Sequence, residues 1–392
     1  MHRNTPSILQ QLLALLPRDW FESFVGQHHG DKYVKKLTCW GQLTLLMYAQ
    51  ITGKKSLRDI ETGLTIEHRR WYHLGITTVA KSTLARANEK RPYEIYESLF
   101  YQLLKKCQSL VPGTASFSFK NALYAVDSST IELCLQLFPW AHFKTAKGAL
   151  KLHTLFNVRS QIPECVILTD GKVADVTIAQ WMDFSQYPKG SIFVFDRGYV
   201  DYALLSALTK AGHHFVIRRK KNANVFTIQK KNRTRLERGV RGDEVIAFTT
   251  EQATEDYPDD LRLVTYYDET TKTTYEFMTD EFRLSACNIA LIYKHRWQIE
   301  LFFKWIKQHL KIKTFLGTSK NAVMTQIWVA MTYYLLVAWL KFQSKSKQSM
   351  LTLTVMLKEV CLQLVQLIDL LHLKPNNLLR ALARASPQPS LF

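Results

Sequence analysis

Apolar positions recur at helical spacing at the two ends of the chain and at strand-like alternation between them. Ser7–Leu16 and Leu37–Ile51 carry apolar stripes, with Pro17, Gly30, Gly53 and Gly63 at the breaks, and this predicts a helical region over residues 1–115. Near its end, Ser82 or Thr83 can cap a helix running through Ala87 and Asn88, and Pro92 opens the next one. Arg86, Lys90 and Arg91 are expected on the exposed face of that helix, where Arg and Asn side chains suit contact with phosphates and base edges. The period changes at Phe117. Strands are expected at 121–127, 150–158, 164–168, 191–195 and 214–219, with helices at 176–184 and 202–211, the second closed by Gly212. Four further strands, VFTIQ, VIAFTT, LRLVTYY and TTYEFMT, follow between 221 and 284, with DETTK as a hairpin turn between the last two. Helices return after Lys311, at 321–342 and 351–373, on either side of the joint QSKSKQS.

This order predicts an α/β core in two parts, 116–220 and 285–320, interrupted by a β-rich insertion at 221–284. Helical regions flank it at 1–115 and 321–392. The run Val323–Leu340 is long and apolar, but Gln326 and Thr332 interrupt it, so a buried helix is expected rather than a membrane span. The N-terminal apolar stretch is broken by Gln10 and Gln11 and does not read as a signal peptide.

Composition sharpens the picture. A hydrophobic content of 47% and 12% aromatic residues exclude a disordered chain, and 392 residues suffice for two or three domains. The net charge of +19 points to a polyanionic partner, nucleic acid before membrane, because the cations are spread along the sequence. Between Arg218 and Arg241 ten cations face the single acid Glu237. Arg218, Arg219, Lys220, Lys230, Lys231, Arg233 and Arg235 are therefore candidate phosphate contacts, with Arg86 from the helical region. The six cysteines are scattered without a CxxC pair, which fits reduced thiols in a cytosolic protein and argues against zinc or a disulfide framework.

Candidate chemistry concentrates in YKHRWQIELFFKWIKQHL, residues 293–310, which carries no Gly or Pro and reads as one helix. Tyr293, Arg296, Glu300 and Lys307 follow at steps of three, four and seven, which places them on one face at about 3.6 residues per turn. A carboxylate between fixed cations suits a metal ion and a phosphate side by side. Two more acids end apolar runs, Asp127 in LYAVDSS and Asp196 in FVFDRGY. Metal-assisted phosphoryl transfer needs two or three such carboxylates to converge on ions roughly 3.5 to 4 Å apart. Asp175 is the runner-up, with Asp170 and Asp201 below it; His142 and His153 lack a metal-ligand spacing.

Tyr, two residues, Arg, three, Glu, six, Lys resembles the YREK signature of DDE transposases of the insertion-sequence-4 type. The pattern of three strands, helix, strand, helix, strand is how the ribonuclease-H-like core of that family reads, and a β insertion before the Glu helix agrees with it. The resemblance implies that Asp127, Asp196 and Glu300 are catalytic and hold two Mg²⁺ or Mn²⁺ ions. Tyr293, Arg296 and Lys307 then hold phosphate, so that alanine at Arg296 or Lys307 weakens DNA engagement and leaves metal binding largely intact. Trp297 either stacks on a displaced base or is a core residue. The implied partner is double-stranded DNA, at the element's ends and at the target, bound by a homodimer of a cytoplasmic bacterial enzyme without a membrane role. The implied reaction is cut-and-paste transposition, through a hairpin in relatives. Two rivals remain: a metal-dependent nuclease on the same fold, and a basic DNA-binding protein without chemistry.

Overall fold

The computed structural model describes residues 5–110, 117–144, 147–231, 238–309 and 315–372. The chain opens with α1 (Ile8–Leu13), α2 (Arg18–Gln27), α3 (Cys39–Thr52), α4 (Leu57–Ile66), α5 (His68–Tyr72), α6 (Lys81–Lys90) and α7 (Glu94–Leu110). Strands follow as β1 (Leu123–Leu133), β2 (His142–Lys144), β3 (Lys147–Asn157) and β4 (Ile162–Asp170), then α8 (Asp175–Trp181). Next come β5 (Ile192–Phe195), α9 (Tyr202–Lys210), β6 (His214–Arg218), β7 (Val225–Lys230) and β8 (Val240–Phe248). The short α10 (Glu251–Asp256) precedes β9 (Leu261–Asp268) and β10 (Thr273–Thr279). The helices α11 (Ala286–His295), α12 (Trp297–His309), α13 (Lys320–Gln343), α14 (Met350–Val360) and α15 (Leu367–His372) complete the order.

These elements form two compact units, one of Met1–Val111, Leu133–Trp140 and Trp305–Phe392, the other of Pro112–Glu132 and Ala141–Lys304. The first is helical. Thr38 caps α3 by accepting a bond from the Gly41 amide, and Gly53, at φ 75°, ends it in the left-handed region that glycine enters without cost. α13 is the interior helix here, and 94% of its most apolar window is buried. It packs against α3, α6, α7 and α14. A polar clamp ties these helices together. Gln42 donates to Asn88, the Asn321 amide donates to the Asn88 and Arg91 carbonyls, and Arg91 donates to Gln42 and to the carbonyls of Leu37 and Thr38.

That clamp corrects the expected surface of α6. Arg91 is buried rather than exposed, beside the buried Asn88, and the clamp meets inside the hydrogen bonds that such buried guanidinium and amide groups require. The helix starts at Lys81, with Ala80 rather than a hydroxyl side chain at its cap. The single helix expected over 351–373 is two, α14 and α15.

The second unit is built on a ten-stranded mixed sheet ordered β2-β3-β1-β5-β6-β10-β9-β8-β7, with β4 also paired to β3. β1, β5 and β6 run parallel, with Val126 opposite Phe195 and Phe195 opposite Ile217. β5 is the centre, and all four of its side chains are fully buried, as expected of a parallel strand covered on both faces. β10 pairs antiparallel with β6, so the strands expected as an insertion continue the same sheet. DETTK is the hairpin turn between β9 and β10, as expected.

β1 does not end at Asp127. Ser129, Ile131 and Leu133 are buried on alternate positions, and this alternation carries the strand on to Leu133, beyond the expected end at 127.

Candidate active site

The register of the parallel strands sets the geometry. Val126 pairs with Phe195, so Asp127 and Asp196 each directly follow a paired residue, Asp127 within β1 and Asp196 just past the end of β5. In-register neighbours on parallel strands present their side chains to one face. The Ser128 amide donates to Asp127 Oδ1 at 2.8 Å, and the Arg197 amide donates to Asp196 Oδ1 at 2.7 Å. Each carboxylate is thus held at its own backbone through one oxygen.

The third acid comes from the far end of the unit. The stretch read as one helix is two: α11 stops at His295 and α12 starts at Trp297. At the break the Arg296 amide donates to the Tyr293 carbonyl at 3.0 Å and the Ile299 amide donates to the Arg296 carbonyl at 3.1 Å. These i to i+3 bonds make a tightened turn. Neither Gly nor Pro explains the break; what the turn does is direct the Arg296 side chain toward β1. Its Nη1 lies 3.1 Å from Asp127 Oδ2, and its Nη2 donates to Glu300 Oε1. The Tyr293 ring lies 5.6 Å from the guanidinium and itself packs on Phe277 at 4.6 Å.

Asp127 is one-fifth exposed, and burial pushes its carboxyl up to about 6. The Arg296 charge and the Ser128 amide oppose that rise; the charges of Asp196 and Glu300 add to it, so the three acids share one electrostatic environment. Among the described residues no three acid, His or Cys side chains already stand in a metal-holding group. Instead a guanidinium lies between two of the acids. The donors on offer are carboxylate oxygens, the hard ligands that Mg²⁺ and Mn²⁺ prefer, and the place they surround already accommodates positive charge.

The rival acids have other partners. Asp175 Oδ1 accepts the Ser128 hydroxyl at 2.7 Å and the Lys151 ammonium at 3.2 Å, with His153 Nδ1 at 3.6 Å. It is therefore one residue removed from Asp127, through Ser128. Asp201 caps α9 by accepting the Leu204 amide, and Asp170 is exposed at the end of β4. His153 is buried against Thr169 Oγ1, and burial holds its imidazole down at about 4. Sequence reasoning missed Lys151 and Ser128. A lysine inside the apolar alternation LKLHTLF was the available signal, since a buried ammonium needs a carboxylate.

Beside Asp196 opens a cleft of about 570 Å³, lined by Arg218, Tyr275, Tyr293, Arg296 and Trp297 among others. Arg218 lies over the Tyr275 ring at 5.0 Å. Trp297 is 58% exposed, so the core alternative for it falls away.

A family model described as "Transposase DDE domain" matches residues 118–336. The chain belongs to the DDE transposases. A probable transposase of insertion sequence element IS5377 from Geobacillus stearothermophilus is 29% identical over 274 residues, 70% of each chain. A Sinorhizobium fredii protein named as transposase y4zB is 32% identical over 260 residues, 65% of this chain and 69% of its own. A Synechocystis protein named as transposase of insertion sequence element IS4SA is 25% identical over 289 residues, 70% of this chain and 75% of its own. A second model, of a domain of unknown function, matches residues 4–77. The protein is thus an insertion-sequence transposase, an enzyme acting on DNA.

The cations of this transposase fall into distinct settings. Arg218 faces the cleft, whereas Arg219 turns inward, donating to the Ala223 carbonyl and pairing with Glu276 at 3.4 Å. Lys220 reaches the Val200 carbonyl, Lys230 is exposed on β7, and Lys231 lies over Phe282 at 5.0 Å. Arg86 and Lys307 are exposed in the helical unit. Arg233 and Arg235 lie outside the described residues.

Proposed function

We propose that this transposase is of the insertion-sequence-4 type with a YREK signature, and that Asp127, Asp196 and Glu300 are its catalytic acids. The observation that carries this reading is the Arg296 guanidinium, which binds both Asp127, 169 residues before it, and Glu300, with Asp196 one residue past the end of the adjacent strand β5. A ribonuclease-H-like core is supported by the strand order β4-β3-β1-β5-β6, with β1, β5 and β6 parallel. The three carboxylates would hold Mg²⁺ or Mn²⁺, two ions by the resemblance. Such ions, when bound, polarise the attacking and leaving oxygens of an in-line displacement at phosphorus.

The protein's own groups do the positioning. The amides of Ser128 and Arg197 fix the two sheet carboxylates. Tyr293, Arg296 and Lys307 hold phosphate, and exposed Trp297 stacks on a base leaving the duplex. The cleft, with Arg218 on Tyr275, offers the cationic and aromatic surface that an unpaired nucleotide needs. Lys220, Lys230, Lys231 and the α6 face carrying Arg86 extend the DNA contact. Water first cleaves one strand at the element end; the freed 3′-hydroxyl attacks the opposite strand, closing a hairpin and releasing the flanking DNA; water reopens the hairpin, and the regenerated 3′-hydroxyl attacks target DNA. The active form is a homodimer bridging two ends.

Duplexes carrying the element's own ends, incubated with Mg²⁺, test this. Asp127→Asn, Asp196→Asn and Glu300→Gln should each lower cleavage by at least ~10²-fold with DNA binding retained. Pre-cut ends plus target DNA should yield covalently joined product. Cleavage without joining would make the protein a nuclease, and full cleavage by Glu300→Gln would remove Glu300 from the chemistry.

A further inference from the structure

We infer that Arg296 is the resting counter-ion of the carboxylate site, and that loading of a divalent ion displaces its guanidinium. The inference rests on reading Asp127, Asp196 and Glu300 as metal ligands. Arg296 donates to Asp127 Oδ2 and to Glu300 Oε1. An ion held by those two acids would draw on the same oxygens. A guanidinium cannot make room by losing its proton, since its pKa lies above about 12. It has to move.

Three features favour an exchange over simultaneous binding. Adding two positive charges beside a fixed one in a site this sheltered is repulsive, since Arg296 is 13% and Asp127 20% exposed. Leaving the acids with no cation is also costly, because the charges of Asp196 and Glu300 bear on ionised Asp127. A resident cation that yields to a stronger one resolves both. The resting bonds, moreover, leave Arg296 incompletely satisfied: its Nε is buried without a hydrogen-bond partner among the described residues.

The destination is also present. Arg296 lines the cleft that holds Arg218 and Trp297, so a guanidinium released from the acids turns into the space where a DNA phosphate would supply the lost charge. Metal occupancy and DNA docking are then linked through one side chain, each favouring the other. This reverses the expectation that loss of Arg296 leaves metal binding unchanged.

Mn²⁺ binding to the full-length protein without DNA, measured by calorimetry and by the electron paramagnetic resonance signal of free Mn²⁺, decides the matter. Arg296→Gln should bind Mn²⁺ at least about tenfold more tightly than wild type. Arg296→Lys, whose single ammonium can hold one acid well but not both, should fall between them. In thermal melts Arg296→Gln should unfold at a lower temperature than wild type without ions and gain more from added Mn²⁺. A merely structural arginine would give weaker metal binding on replacement. Wild-type or weaker affinity in both Arg296 variants, with Glu300→Gln abolishing binding, would overturn the exchange and leave the metal site standing. Unchanged affinity in Glu300→Gln would instead show that the site reading itself had failed. If Arg296→Gln does not fold, a few-fold gain or its absence in Arg296→Lys decides alone.

Discussion

Arg262 and Asp243 show how much of a cation's role is set by what it faces. Both side chains are about 1% exposed, and the guanidinium meets the carboxylate through Nε at 2.8 Å and Nη2 at 2.9 Å. Its remaining donors reach the Glu281 and Leu284 carbonyls, where β10 hands over to α11. Asp243→Asn leaves that guanidinium without its charge partner in the interior. It should cost about 3–5 kcal/mol in chemical denaturation, and a loss under about 1 kcal/mol would show that the pair is not desolvated as described. Residue type was legible in the sequence throughout; direction was not. Arg91 looked like Arg86 beside it, yet one is buried in a clamp and the other exposed. The two acids of the sheet were legible because each follows an apolar run. The pairing of Ser128 and Lys151 with Asp175 was not, because that partner lies 47 and 24 residues along the chain, although Lys151 within an apolar alternation signalled that it needs one.

At the scale of elements, apolar runs and alternation located most of the strands, as with β5 at Ile192–Phe195 against an expected 191–195. Where it failed, long-range contact decided. The turn at Arg296 has no breaker residue to announce it, and the bond that accompanies it crosses to β1. The seam between β6 and β10 offers a test at this scale. His214 Nδ1 lies 3.0 Å from Asp280 and Nε2 3.3 Å from Glu281, both carboxylates buried. The Asp280 hydrogen bond raises the imidazole above its usual 6.5; burial opposes, the charges of Asp280 and Glu281 add to the rise, and Arg283 lowers it. A raised folded value means the stabilisation is complete below about 6.5 and is lost as pH rises through the folded value. The stability advantage of wild type over His214→Gln should therefore be largest in mildly acidic buffer and shrink toward pH about 8. A gap that widened with pH in denaturation curves would refute the pairing.

Over the whole molecule, the α/β class and the helical ends could be read from periodicity alone. The continuity of the sheet could not. That the strands expected between 221 and 284 join the core sheet was not legible, because pairing between β6 and β10 joins residues about sixty apart, a contact that periodicity does not encode. Charge at this scale is likewise only partly available. Of the cations behind the net +19, Arg91, Arg262 and Arg296 are engaged inside, while Arg86, Lys230 and Lys307 face outward. The most direct measurement is an anomalous difference map of crystals of the transposase bound to its end DNA and soaked in Mn²⁺. The account requires manganese density in contact with the carboxylates of Asp127, Asp196 and Glu300, with the Arg296 guanidinium withdrawn from between them. Manganese bound elsewhere, with Arg296 still bridging Asp127 and Glu300, would contradict it.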